Sequence, residues 1–145
     1  MDSIIYANWD MRFLDLAQHV AQWSKDPSTK VGAVIANDQH QVLSLGYNGF
    51  PRGVEDRVSR YNDRETKLLF VAHAERNALD NAFVDVRGAT LYTSLCPCNE
   101  CAKSIIQKGI KRVVTQPPPV EKAELFKMYV TTQMFDEANI ELVLV

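Results

Sequence analysis

Apolar side chains recur at Met11, Leu14, Leu16, Ala17, Val20 and Ala21 within residues 8–24, a rhythm that predicts an amphipathic helix. Ser24-Lys25-Asp26-Pro27 then breaks it. The short apolar run Val31-Gly32-Ala33-Val34-Ile35-Ala36 suits a buried strand, and Asn37-Asp38 marks a turn. Residues 41–47 predict a second strand, antiparallel to the first across a tight connection. Gly46-Tyr47-Asn48-Gly49-Phe50-Pro51 reads as a rigid loop of specific shape.

Residues 52–70 are polar and mixed in charge, with a short helix predicted over 63–70. Beyond them the pattern predicts a helix over 72–82, a strand over 89–95 and a helix over 98–108 closed by Gly109. A strand over 111–115 leads to the stiff hinge Pro117-Pro118-Pro119, then a helix over 121–138 and a closing strand over 140–145. Two strands followed by alternating helices and strands predict one mixed sheet with helices on both faces. No internal repeat is visible, and residues 1–145 are expected to form one domain.

Composition narrows the function classes. Apolar residues make up 46% and charged residues 23%, the balance of a globular protein with a real core. No apolar run approaches the roughly 18 residues of a membrane span, and the N-terminus lacks a signal-peptide pattern. A cytoplasmic location without membrane association is the expectation. The net charge of −2, with both signs interspersed, argues against long DNA or RNA as the main partner. A small nucleotide needs only one or two well-placed cations.

All three cysteines, Cys96, Cys98 and Cys101, fall within six residues, which points to metal or redox chemistry rather than a disulfide scaffold. Cys98 and Cys101 are three apart, so one helical turn puts both sulfurs on one face. Pro97 suits the start of that helix. His73 supplies a third ligand from another element, and three protein ligands leave a tetrahedral zinc one open position, as a catalytic site requires. Glu75, two residues beyond His73, is placed to move protons without binding metal. The triplet His73-Ala74-Glu75 alone means little, and a lone C-x-x-C fits structural zinc or redox work equally. Their combination, with Pro97 before the first cysteine, resembles the zinc-deaminase signature. A structural zinc knot would need a fourth protein ligand, for which Cys96 is the nearby thiol. It sits in the extended residue before Pro97 and is aimed elsewhere.

Other residues take plainer readings. His19 and His40 lack metal-spaced partners and suit a surface or helix face, while Trp9 and Trp23 suit packing or subunit contact. The charged run over 55–67 reads as a solvated face.

Over roughly residues 9–115 the chain resembles the deoxycytidylate (dCMP) deaminases of the cytidine deaminase-like superfamily. The resemblance is carried by Trp9, Phe13-Leu14, Ser24-Lys25-Asp26-Pro27 and Val31 to Ile35, and by Gly46-Tyr47-Asn48-Gly49-Phe50-Pro51-Arg52-Gly53. His73-Ala74-Glu75-Arg76-Asn77-Ala78 and Cys96-Pro97-Cys98-Asn99-Glu100-Cys101 complete it. It implies a three-layer α/β/α sandwich around a five-stranded mixed sheet, assembled as a homo-oligomer with hexamers favoured. It also implies that His73, Cys98 and Cys101 hold zinc while Glu75 carries protons in hydrolysis of dCMP to dUMP and ammonia.

Further roles follow from the same resemblance. Asn48 would contact the sugar, the Leu95 carbonyl would hold the amino group, and Ser24, Lys25, Lys30 and Arg52 are phosphate candidates. Gly46, Tyr47, Asn48 and Gly49 would form an effector loop through which dCTP activates and dTTP inhibits, with magnesium. Residues 51–72 contain no Cys or His, so one zinc per chain is expected. Gln116-Pro117-Pro118-Pro119 departs from the family pattern near the substrate and leaves other substrates open: cytidine, dCTP or a modified dCMP. A base within RNA or DNA, and a non-catalytic nucleotide sensor, are the more distant alternatives.

Overall fold

The computed structural model describes residues 1–124 and 127–145. Five strands form one sheet: β1 (Gly32–Ala36), β2 (Val42–Tyr47), β3 (Thr90–Thr93), β4 (Arg112–Thr115) and β5 (Glu141–Leu144). Their order is β2-β1-β3-β4-β5, with β1 antiparallel to both neighbours and β3, β4 and β5 mutually parallel. The expected five-stranded mixed sheet is therefore present.

Alternation along the strands sorts the core into two halves. Ala33, Ile35, Leu91 and Val113 face one side, against α4 (Ala74–Asn81), α5 (Asn99–Gln107) and α7 (Met128–Glu137). Val34, Ala36, Tyr92 and Val114 face the other, against Phe13 and Ala17 of α1 (Trp9–Ala21). Asp10 fastens α1 to the sheet. Its carboxylate accepts two bonds from the Arg112 guanidinium, at 2.7 and 2.6 Å, and one from the Tyr92 hydroxyl at 3.0 Å.

Two departures from the sequence prediction matter. The polar stretch 52–70 holds two helices, α2 (Val58–Asn62) and α3 (Arg64–Phe70), where one was expected. Most of their residues are exposed, as a solvated face requires, but Tyr61 stacks on Phe50 with ring centroids 4.1 Å apart and Lys67 is only 7% exposed. The expected helix over 121–138 is split into α6 (Val120–Ala123) and α7, with Lys127 in the left-handed region at φ 54°. Leu125 and Phe126, within that expectation, lie outside the described residues.

The helices sit close on the sheet because two strand positions lack a side chain. A Cβ at Gly32 would lie 2.1 Å from the Ala17 carbonyl oxygen of α1. One at Gly46 would lie 2.4 Å from the Ala78 nitrogen and 2.8 Å from the Ala74 oxygen of α4. The Ser44 hydroxyl donates to the Ala78 oxygen at 2.6 Å, and Asn77 Nδ2 donates to the Tyr47 oxygen at 2.8 Å, so α4 is bonded to β2 as well as packed on it.

Glycine inside a strand ordinarily costs about 0.5–1 kcal/mol relative to alanine. Here the order should invert: Gly46→Ala is expected to lower stability by about 1–3 kcal/mol through overpacking against the α4 backbone. Urea unfolding of the two proteins checks this, and a variant as stable as the parent would show that the contact has slack.

Candidate active site

The first part of the site is set by where α4 begins. Gly49 and Ala72 exchange backbone hydrogen bonds, Gly49 N–H to Ala72 O at 3.1 Å and Ala72 N–H to Gly49 O at 2.8 Å. This isolated bridge keeps the chain extended through His73, whose φ −71° and ψ 156° make it the N-cap of α4. The helix therefore starts at Ala74, two residues later than predicted. Two helical positions separated by two would point about 200° apart. With His73 still extended, its ring and the Glu75 carboxylate can serve one site.

Cys98 occupies the equivalent N-cap place of α5, at φ −72° and ψ 170°, with Cys101 in the first turn. The His73 Nδ1 atom lies 3.1 Å from Cys101 Sγ and 3.6 Å from Cys98 Sγ. All three ligand atoms fall within 4.8 Å of one another. Zinc bonds of about 2.3 Å to sulfur and 2.0 Å to nitrogen imply N···S separations of roughly 3.5 Å around a tetrahedral ion, so this donor set fits zinc. Two helix N-termini converge here, favouring thiolate on the cysteines. The Cys98 thiol is pushed down to about 4, chiefly by a hydrogen bond from Cys101 and then by one from His73. Cys101 is pushed upward because the hydrogen bond to Cys98 keeps its proton in place. Cys96 stands outside this group: it is buried, and burial followed by the Glu75 charge raises its thiol to about 12.

Glu75 is 4% exposed, and burial raises its carboxyl pKa above the ordinary value, against the lowering influence of His73 and Thr93. The fully buried Thr93 hydroxyl lies 2.9 Å from Glu75 Oε1 and 2.9 Å from the Leu95 carbonyl oxygen. Thr93, at the end of β3, thus joins the carboxylate to the segment that leads to Cys98. Sequence reasoning passed it over, since a threonine in a strand carries no motif. From the other side, Thr131 of α7 donates to the Pro97 carbonyl oxygen at 3.3 Å, bracing the same segment.

These groups open into a cavity of about 240 Å³. That is a small-molecule volume, near the lower end of the roughly 300–1,000 Å³ typical of ligand sites. Its lining includes His73, Glu75, Cys96 and Cys98 together with Asn48 and Leu95. Asn48 Oδ1 accepts the Val31 N–H at 2.8 Å, and Nδ2 donates to the Thr29 oxygen at 2.9 Å. That fixes its amide and leaves one N–H and one lone pair for a ligand.

The phosphate candidates lie elsewhere, because none of Ser24, Lys25, Lys30 and Arg52 lines this cavity. Ser24 is buried and donates to the Asn48 carbonyl oxygen at 2.8 Å, Lys25 pairs with Asp56 at 2.7 Å, and Arg52 donates to Asn81 Oδ1 at 2.8 Å. The cations that do line the cavity are Arg64, Lys67 and Lys122, accompanied by Asp26. No local pattern marks Lys67, whose burial depends on Asp26, 41 positions away. Gly46 and Tyr47 belong to β2, and the N–H groups of Asn48 and Gly49 donate to Val31 and Ala72. The glycine-presented donors expected for an effector phosphate are thus used inside the fold at Asn48 and Gly49.

Comparison with known proteins settles the family. Residues 7–116 match the model of the cytidine and deoxycytidylate deaminase zinc-binding region. The chain belongs to that family. It is 46% identical over 115 residues to the mouse deoxycytidylate deaminase, a match spanning 75% of this chain and 65% of the mouse protein. It is 40% identical over 141 residues to an uncharacterised deaminase of Aliivibrio fischeri, covering 93% of this chain and 92% of that one. A solved dCMP deaminase of cyanophage S-TIM5, in complex with dCMP and dUMP, shares the fold at TM-score 0.76 and 21% identity, over 98% and 100% of the two chains. Among the described residues no helix is long and apolar enough to cross a membrane.

With one His/Cys/Cys group among the described residues, the purified deaminase-family protein should carry about one zinc per chain. Metal analysis should show the ion lost in Cys98→Ala and kept in Cys96→Ser. Two ions per chain, or loss from the Cys96 variant, would refute the ligand set.

Proposed function

We propose that this protein hydrolyses dCMP to dUMP and ammonia, using zinc held by His73, Cys98 and Cys101. The observation that carries the reading is the buried Glu75 carboxylate beside that donor set, in the lining of a nucleoside-sized cavity. Kinship with the mouse deoxycytidylate deaminase supports the choice of substrate, and a cytoplasmic location belongs to the same reading.

A zinc ion there would supply Lewis acidity, bringing the ionisation of water from 15.7 to about 7. Glu75 accepts the proton of the water that attacks C4 of the cytosine ring. It then delivers protons to N3 and to the departing amino group, so that one water is consumed and one ammonia released. Burial suits Glu75 to this work, because a carboxyl whose pKa is raised by desolvation holds a proton more readily than an exposed one. Thr93 fixes the orientation of Oε1. The Leu95 carbonyl oxygen is offered to the amino group of the ring, and the spare N–H and lone pair of Asn48 to a sugar hydroxyl.

Ammonia release from cytidine, deoxycytidine, dCMP, dCTP and a single-stranded oligonucleotide tests the reading. A preference for dCMP of tenfold or more in kcat/KM, about 1.4 kcal/mol, is expected. Preference for cytidine would move the assignment to the nucleoside, and no turnover of any substrate would end it. Resemblance extends the reading to control by dCTP and dTTP with magnesium, and to assembly of several copies of the chain. Velocity curves with each effector test the first and sedimentation the second.

Two substitutions separate the roles. Glu75→Gln should retain zinc and bind dUMP while turnover falls by about 10²–10⁴-fold. Activity within a few-fold of the parent would remove Glu75 from the chemistry. Thr93→Val removes a hydroxyl that lowers the Glu75 pKa, so that pKa should rise further. The base works deprotonated, and the acidic limb of the kcat/KM profile should therefore move to higher pH. An unmoved limb would show that the Thr93 hydroxyl does not act on Glu75.

A further inference from the structure

His73 and Cys98 are held by one device used twice. Each is the N-cap of its helix, with extended backbone at ψ 156° and 170°. The direction of such a side chain is set by the two peptide planes that flank its Cα, because each plane is rigid and only φ and ψ turn about that atom. At His73 both planes are pinned. The Ala72 carbonyl before it accepts the Gly49 N–H at 3.1 Å, and its own carbonyl accepts the Asn77 N–H at 3.0 Å as α4 begins.

At Cys98 the following plane is pinned in the same way, its carbonyl accepting the Ala102 N–H at 2.9 Å. The preceding plane is held by a side chain instead. The Pro97 carbonyl oxygen accepts the Thr131 hydroxyl of α7 at 3.3 Å. Thr131 is fully buried and Pro97 is buried as well, so solvent does not stand in for the bond. The separation is long for an O–H···O bond, and the buried setting gives it weight: a carbonyl left unpartnered there costs more than the bond itself contributes. The neighbouring Thr132 shows the ordinary behaviour of a helical threonine, its hydroxyl donating to the Met128 carbonyl one turn back at 2.8 Å. Thr131 reaches out of its helix, to the residue before a zinc ligand.

We propose that Thr131 is a positioning residue for the metal site, fixing through the Pro97 carbonyl the direction in which Cys98 presents its sulfur. The inference rests on the ligand set of the preceding reading and is independent of its substrate. α7 lies beyond residues 7–116, the segment matched to the family, so the zinc site draws on a helix outside that segment. Phe135 of the same helix is buried in one core cluster with Ala102 and Ile105 of α5, which holds α7 against the helix that carries both cysteines. Groups that orient metal ligands without touching the ion carry about 10–100-fold in metal affinity. The effect is reciprocal: if the hydroxyl tightens zinc, zinc tightens the docking of α7 by the same factor.

Chelator competition on the zinc-loaded protein tests this role against simple packing. Thr131→Val keeps the shape of the side chain and removes the hydroxyl, and it should weaken zinc about tenfold. Thr131→Ser restores the hydroxyl and should recover most of the affinity, while Thr132→Val should match the parent. In the cobalt-substituted protein the visible d–d bands report ligand geometry; they should shift in Thr131→Val and return in Thr131→Ser. The parent gives a readout that needs no variant. Removing its zinc should speed hydrogen exchange in the first turn of α7 more than in α1, which packs on the other face of the sheet. Parent-like affinity and cobalt bands in Thr131→Val, equal losses in Thr131→Val and either Thr131→Ser or Thr132→Val, or exchange in α7 that follows α1 would overturn the inference. Zinc retained in Cys98→Ala would end the ligand reading and this inference with it. A protein that holds zinc with the help of Thr131 yet deaminates no cytosine compound would keep the inference and end the catalytic reading.

Discussion

The fit of α4 onto β2 is the constraint on which the rest of the structure depends. Helices usually stand off a sheet by the depth of interleaved side chains, about 10 Å between layers. At Gly46 there is no side chain, and the α4 backbone comes down to the strand itself. The Ser44 and Asn77 side chains then lock the two elements in register, and Asn81 Nδ2 adds a bond to the Leu45 oxygen at 3.3 Å. Once α4 is held there, its first turn has little choice of height or rotation. The Gly49–Ala72 bridge fixes the residue just before that turn, so His73 and Glu75 are aimed by two independent restraints. Precision of this kind is what the proton-carrying role proposed for Glu75 needs, because a misplacement of about 1 Å can cost 10²-fold in rate.

The electrostatics follow from that placement. Burying Glu75 is costly unless something answers its charge, and the answer comes from His73 across the site and from the Thr93 hydroxyl. Burial still wins, and the carboxyl is raised above its ordinary value. The cysteines show the opposite balance at Cys98, where hydrogen bonds outweigh burial and hold the sulfur as thiolate. Cys96 has no such donors, and burial keeps it a neutral thiol. Three cysteines within six residues are thus divided by their surroundings into two sulfurs that join His73 in one donor group and one that stands outside it.

What the sequence made legible was the part encoded by short spacing. Cys98 and Cys101 are brought together by a single helical turn, and the alternating strands announce which faces are buried. The start of α4 was not legible, because it is decided by Gly49, a residue far from it in the chain. Nor was Lys67: a lysine in a mixed-charge run looks solvated until Asp26 is folded against it. The surroundings of the phosphate candidates were hidden for a related reason. Ser24, Lys25 and Arg52 are in conspicuous loops, yet each already has an internal partner, and Lys30, without one needed to explain it, does not line the cavity. The helix expected over 121–138 failed at Lys127, whose left-handed backbone no periodicity reveals.

The lining of the cavity also maps onto the chain. His73, Glu75, Cys98 and Cys101 all lie within residues 7–116, the segment matched to the family, and they meet through the sheet and the two helix starts. Lys122 lies beyond that segment, on the short helix that follows Pro117-Pro118-Pro119. Proline fixes backbone φ near −65°, so a run of three constrains the path by which α6 brings Lys122 to the cavity lining. The donor set is thus held by the core of the fold, while Lys122 reaches the cavity lining from a short helix with no buried residues.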